Sequence, residues 1–202
     1  LERRALDVLV AFGYWGRASA AALAFSYPRD TATILARVLV SALPVVGLCA
    51  FAAGAMLTVQ TASSLSIIGG GPYSGTLVGL SGVREIFPIL AATAVAARTG
   101  AEFASHLGAM KVSEQVDAIS MMGLDPLRLL VGPRVLACAL GTPLCVVFSN
   151  VIGILGSYVV GSFQLHIDPG SMWYHLMQSV VLTDVIVGLF KGVVLGWLIG
   201  LV

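Results

Sequence analysis

The chain has 202 residues, of which 58% are hydrophobic and only 10% charged, whereas soluble domains carry about 25% charged residues. A mean hydropathy of +0.97 excludes an ordinary globular fold. A net charge of +1 excludes the broad basic surface that nucleic acid requires. A lipid bilayer is therefore the solvent from which to argue.

The N-terminal segment is taken as residues 1–34, of which 1–27 are too charged to span. Leu6, Leu9, Val10, Phe12 and Trp15 mix with Arg3, Arg4, Asp7 and Arg17, as in a helix lying on a membrane surface, with a disordered or extramembrane tail as the alternative. The compact apolar core and cleavage site of a secretory signal are absent from it. The rest, residues 35–202, forms one membrane unit. Val38 to Val59 is uncharged for 22 residues, and a span needs about 20. Beyond it, Leu57, Thr61, Leu65 and Ile68 recur at helical spacing and make one uncharged face, a candidate lipid-lining surface with plain packing as the alternative. The Gly69-Gly70-Gly71-Pro72 break follows.

Leu77 to Leu107 reads as a second span interrupted by Arg84, Glu85, Arg98 and Glu102. At about 100° per residue, Arg98, Glu102 and His106 fall within about 40° of Arg84 on a helical wheel. Each such charge costs about 2.5–3.5 kcal/mol on insertion scales, so the stripe must face a bundle, a cavity or a partner. Arg98 and Glu102, at i,i+4, are expected to pair. Lys191, further along, is placed in the same charged network.

The polar stretch from residue 110 to 134 stands out in so apolar a chain. Ser113 is a candidate N-cap. Val112, Val116, Ile119 and Met122 share one face, with Glu114, Asp117 and Ser120 away from it. Gly123 suits a helix C′ position, and Asp125-Pro126 restarts a helix as cap and first residue. A short amphipathic helix over 113–123 is expected, either joining two spans or docking a soluble partner. Val135 to Ile167 is uncharged for 33 residues and makes a third span. A fourth starts near Val185 and is still apolar at Val202, so the natural protein is expected to continue. Cys49, Cys138 and Cys145 all lie in apolar runs. An odd count gives no disulfide framework, and buried packing is the expected role.

Small residues repeat every four positions at Gly188, Gly192, Gly196 and Gly200, and at Gly100, Ala104 and Gly108. Such ridges let membrane helices approach closely and predict a packing seam within or between protomers. Lys and Arg cluster before the first span (Arg29, Arg37) and between the second and third (Lys111, Arg128, Arg134). Residues 60–81 and 161–183 contain none. The N-terminus and the 110–134 segment are therefore cytoplasmic and the other loops outward.

The block VREIFPILAATAVAARTGAEFASHLGAMKVSEQVDAISMMGLDPLRLLVGPRVLA resembles the MlaE/YrbE family of ABC transporter permeases. Arg84, Glu85 and Pro88 match its Arg-Glu-x-x-Pro opening. Arg98 and Gly100 match its Gly-Arg-x-Gly, with Ala97 in place of the first glycine. Glu102, Gly108, Met110, Glu114, Gln115, Asp117, Gly123, Asp125, Pro126, Pro133 and Arg134 match the remainder, and Asp184 and Lys191 fit a later Asp-x6-Lys. Two departures are the sequence EIFP, where the family has Glu-Leu-Gly-Pro, and the absence of its closing glycine-rich tract.

The resemblance covers residues 35–202. It implies an all-α integral membrane protein with an N-terminal interfacial helix, four visible spans, a fifth beyond this chain, and a cytoplasmic coupling helix between the second and third. It further implies a permease, not itself an enzyme, that moves phospholipids or related lipids between a bacterial inner membrane and the outer envelope. Glu114, Gln115, Asp117, Gly123, Asp125 and Pro126 would form the ATPase contact. The implied partners are a second permease protomer, a cytoplasmic ABC ATPase that binds ATP and magnesium, an MCE-domain protein on the outer side, and a small STAS-like subunit. The chain itself has no G-x-x-x-x-G-K-[ST] phosphate loop, and no metal ligands or catalytic residues are assigned in it. Two rival readings are a passive membrane protein without an ATPase and an intramembrane serine protease. The second rests on Gly79-Leu80-Ser81-Gly82, which matches the G-x-S-G of rhomboids, but it needs a base from another helix, and His166 and His175 lie in the outward segment.

Overall fold

The computed structural model describes residues 13–20, 28–67, 69–70 and 73–201. The described residues are helical almost throughout and contain no strand. Four helices are long and apolar enough to cross a membrane: α1 (Pro28–Ser66), α2 (Ser74–Val112), α4 (Leu127–Phe163) and α6 (Leu182–Leu201). Two short helices lie between them, α3 (Gln115–Met121) and α5 (Pro169–Ser179). Of the N-terminal segment, residues 13–20 are helical, and Ala18 packs against Val135 and Leu201.

The spans overrun the uncharged segments read from the sequence because a charge at the bilayer surface does not stop a helix. In α1 the polar tail stays helical by a local device. Thr58, Thr61, Ser63, Ser64 and Ser66 each donate a hydroxyl hydrogen bond to a carbonyl three or four residues earlier. Their polarity is thereby satisfied inside the helix, as a lipid environment demands.

Helices α1 and α4 cross backbone to backbone. A Cβ added at Gly54 would overlap the Gly153 carbonyl, and one at Gly156 would overlap the Phe51 carbonyl. Without a hydrophobic drive between helices in lipid, such close approach supplies the packing energy. One turn further along, the Ser157 hydroxyl donates to Thr58 Oγ1 at 2.7 Å, the Thr58 hydrogen being used on Gly54, and both residues are buried. Below the crossing, Val38, Ala42 and Val46 of α1 meet Ala91 and Val95 of α2 and Cys145 and Val146 of α4 in the main apolar core.

The glycine ridge of α6 is a seam within the protomer. Gly188 lies against Pro88 and the Val83 carbonyl of α2, Gly192 against Pro143, Gly196 against the Cys138 carbonyl and Gly200 against Val135. The second ridge differs: a Cβ at Gly100 or Gly108 would meet nothing within 4 Å.

Helix α2 is not regular. Val78–Ile86 is wound as a π-helix before the chain tightens to an α-helix at Phe87. Pro88 helps to cause this, because it cannot donate to the preceding turn. The Phe87 ring, fully buried, fills the space left by Gly82 and Gly153. Ser149 Oγ of α4 donates to the Phe87 carbonyl at 3.2 Å. At the end of the bundle opposite α3, α5 begins at a built cap, where Asp168 Oδ2 accepts from the Ser171 amide at 2.8 Å and Pro169 opens the helix. It packs on the start of α2, where Gly75 meets the Met172 carbonyl. Tyr73 and His175 stack at 4.4 Å, and Trp173 and Tyr174 remain exposed, as interfacial aromatics do.

Candidate functional site

Helix α3 sits between the second and third spans, and none of its residues is buried. Ser113 does not cap it: its hydroxyl turns back to the Ala109 carbonyl at 2.8 Å. Glu114 takes the N-cap position in the left-handed region, at φ 57°, without a side-chain cap bond. The helix is accordingly shorter than the expected 113–123. The other expected punctuation is present. Gly123 has φ 77°, and Asp125 Oδ1 accepts from the Leu127 amide at 3.1 Å as the next helix starts. Asp117 is held by Lys111 at 2.7 Å, while Gln115 and Pro126 lie along the same surface stretch. Val112, Met121, Met122 and Leu124 are exposed, Met121 to 89%.

The charges of α2 fall into two groups at different depths. Arg84 and Arg98 are 14 residues apart, about 21 Å along a helix, and the π-helical turns around Arg84 shift its phase away from a regular wheel. In the half of α2 remote from α3, Lys191 Nζ of α6 meets Glu85 Oε2 at 2.6 Å and also donates to the Arg84 carbonyl at 3.3 Å. That carbonyl is four residues before Pro88, so it is one that the proline leaves without a regular helical donor. Arg84 in turn reaches Asp184 at 3.9 Å. Arg84, Glu85 and Lys191 are thus joined, with Asp184 as a fourth member.

The inner group is wired differently from the expected stripe. Glu102 faces Arg37 of α1 at 3.9 Å, whereas Arg98 is exposed and makes no ion pair among the described residues. The expected Arg98–Glu102 pair is therefore not formed. The reason is tertiary: α1 brings a cation to the side of α2 that carries Glu102. His106 Nδ1 lies 3.0 Å from Arg134 Nη2, and the guanidinium stands 5.4 Å from the Phe103 ring centre.

The candidate lipid face is half-buried at Leu57, Thr61 and Leu65, while Ile68 lies outside the described residues. Leu57 packs on the cluster around Val78, Val83 and Phe87, and the Thr61 hydroxyl is engaged by its own helix. Ser81 lies exposed on the π-helical stretch, with no hydrogen bond to a histidine among the described residues. No group of His, Cys, Asp and Glu among the described residues could hold a metal.

Four membrane-length helices, paired charges on them and a short helix with no buried residue between the second and third define a polytopic helical membrane protein. Residues 31–202 match the family model of the permease MlaE, and the chain belongs to that family. A probable ABC transporter permease of Rickettsia typhi is 39% identical over 160 residues, covering 79% of this chain and 62% of that protein. The intermembrane phospholipid transport system permease MlaE of Haemophilus influenzae is 36% identical over 120 residues, 59% of this chain and 46% of that protein. The chloroplastic TRIGALACTOSYLDIACYLGLYCEROL 1 of Arabidopsis thaliana is 28% identical over 149 residues, 74% of this chain and 43% of that protein. The chain spans at most 62% of the length of these relatives.

Proposed function

We propose that the chain is the permease subunit of an ABC transporter that moves phospholipids or related lipids between a bacterial inner membrane and the outer envelope. Two permease protomers would form the lipid route, and a separate cytoplasmic ATPase, loaded with ATP and magnesium, would drive it. An MCE-domain protein would receive or deliver lipid on the outer side, and a small STAS-like subunit would attend the ATPase. Family membership and the phospholipid transport role in the name of the Haemophilus relative support this reading. The observation that carries it is α3: a helix with no buried residue and exposed Met121 and Met122, on the side that the positive-inside count assigns to the cytoplasm.

In this reading Glu114, Gln115, Asp117, Gly123, Asp125 and Pro126 form the ATPase contact. Leu57, Thr61 and Leu65 line the lipid path near the outer side. The test is reversal of charge at Glu114 and Asp117 together, followed by ATPase recovery with the purified permease and ATP turnover. Both are expected to fall. Unchanged assembly with unchanged turnover would refute the assignment, and failure of any ATPase to co-purify with the unaltered protein would favour the passive reading.

A further inference from the structure

Arg134 is the one charged side chain among the described residues that is buried, at 7% exposure. It stands near the cytoplasmic end of α4. A guanidinium only donates, so in its 3.0 Å contact with His106 Nδ1 the ring nitrogen is the acceptor. Phe103 covers one face of the cation. Among the described residues, buried Nη1 has no hydrogen-bond partner and no carboxylate pairs with Arg134, Glu102 being turned to Arg37. A buried charge without a counterion is strongly unfavourable.

The same side chain forms a wall of a cavity of about 110 Å³ whose other sides are almost wholly apolar: Gly100, Ala104 and Leu107 of α2, Val131 of α4 and Ile199 of α6. The small-residue ridge of α2 is uncovered here, since a Cβ at Gly100 meets nothing within 4 Å. One enclosed cation above an apolar cleft, at the cytoplasmic end of three spans, has the polarity of an amphiphile's binding site. We propose that this cleft binds the phosphate of an anionic phospholipid from the cytoplasmic leaflet, with Arg134 as its anchor and the Gly100–Ala104 ridge against its acyl chain. The planar guanidinium suits phosphate oxygens, and basic pockets between spans on this side take such headgroups. The site is remote from the outer Leu57–Leu65 face and does not depend on the transport reading.

The experiment melts the purified protein, with whatever subunits co-purify, in nanodiscs of phosphatidylcholine with and without phosphatidylglycerol. Phosphatidylglycerol is expected to raise the melting temperature by about 2–4 °C at about five times its dissociation constant. Inorganic phosphate at matched concentration should not. Arg134→Gln and Ala104→Leu, the latter filling the cleft, should abolish the rise. If Arg134→Gln does not fold, Ala104→Leu carries the test alone. No phosphatidylglycerol effect in the unaltered protein, or an undiminished effect in Ala104→Leu, would overturn the proposal. An equal shift with inorganic phosphate would overturn the lipid as the source of the anion. General destabilisation of Ala104→Leu with the lipid response intact would mark the cleft as a protein packing seam and also overturn it.

Discussion

A single methyl group at residue 54 should have one of the largest effects available at this size. In Gly54→Ala the new Cβ would overlap the Gly153 carbonyl oxygen and lie 2.8 Å from its carbon and 3.1 Å from its Cα. Carbon pairs are optimal at about 3.5–4.0 Å, and a helix carbonyl cannot swing aside without losing its own hydrogen bond. The helices must therefore part by about 1 Å or more, which forfeits about half or more of each dispersion well along the seam. Overpacking of this kind costs about 1–3 kcal/mol, or about 2–12 °C in melting temperature at about 2–4 °C per kcal/mol. The control is Gly100→Ala, where a Cβ meets nothing within 4 Å and helix propensity favours alanine by about 0.8–1.0 kcal/mol. Its melting temperature should hold or rise slightly. Both variants can be heated in detergent with a thiol-reactive dye, since Cys138 and Cys145 are fully buried in the fold. If Gly54→Ala melted like the parent, or Gly100→Ala fell as far, the backbone crossing would not be what holds α1 to α4.

Exchange of the Glu85 and Lys191 charges should restore folded yield that Glu85→Lys and Lys191→Glu each lose alone, measured by size exclusion in detergent; a swap no better than its parents would show that the 2.6 Å pair is dispensable. A double-mutant cycle on Thr58→Val and Ser157→Ala should return a coupling of about 0.6 kcal/mol, the average for hydrogen bonds between membrane helices, read from denaturant melts. Leu65→Asp should abolish lipid transport while Leu65→Val preserves it, and a photocrosslinker at Leu57 or Leu65 should capture phospholipid in the assembled complex; crosslinks to protein alone would make this face ordinary packing. Ser81→Ala should leave transport unchanged, and loss of activity would revive the hydrolase reading.

The membrane class and the four spans were legible because lipid punishes charge and leaves long uncharged runs such as Val38–Val59 and Val135–Ile167. Hydropathy locates hydrocarbon rather than helix ends, so α1 extends beyond its run at both ends, while α4 starts ahead of its run and stops at Phe163, before Ile167. Gly123 and Asp125 showed their roles because cap and turn chemistry is local. Ser113 misled for the same reason: a serine hydroxyl has a competing local acceptor in the preceding helix turn, and Ala109 takes it. Helix α5 was read only as part of an outward loop, although Asp168-Pro169 carried a start signal. The wheel placed Arg84 and Arg98 on one stripe by assuming a single helical pitch, which the π-helical stretch violates. The partners of Glu102 and Arg134 come from other helices, and one chain's spacing holds no record of them.

The backbone seam between α1 and α4 has a mechanical consequence. Where side chains separate two helices, a small push can be absorbed by rotamer changes, but Gly54, Gly153 and Gly156 leave nothing at the crossing that can rearrange. Displacement of one helix is then passed to the other undiminished, as in a strut joined at mid-length. Since α4 begins just after α3 and α1 ends at the opposite end of the bundle, a tilt imposed at the α3 end would emerge as a sideways movement of the far end of α1. The π-wound stretch of α2 beside this crossing, where carbonyls are freed by Pro88, is the compliant element against which that strut works.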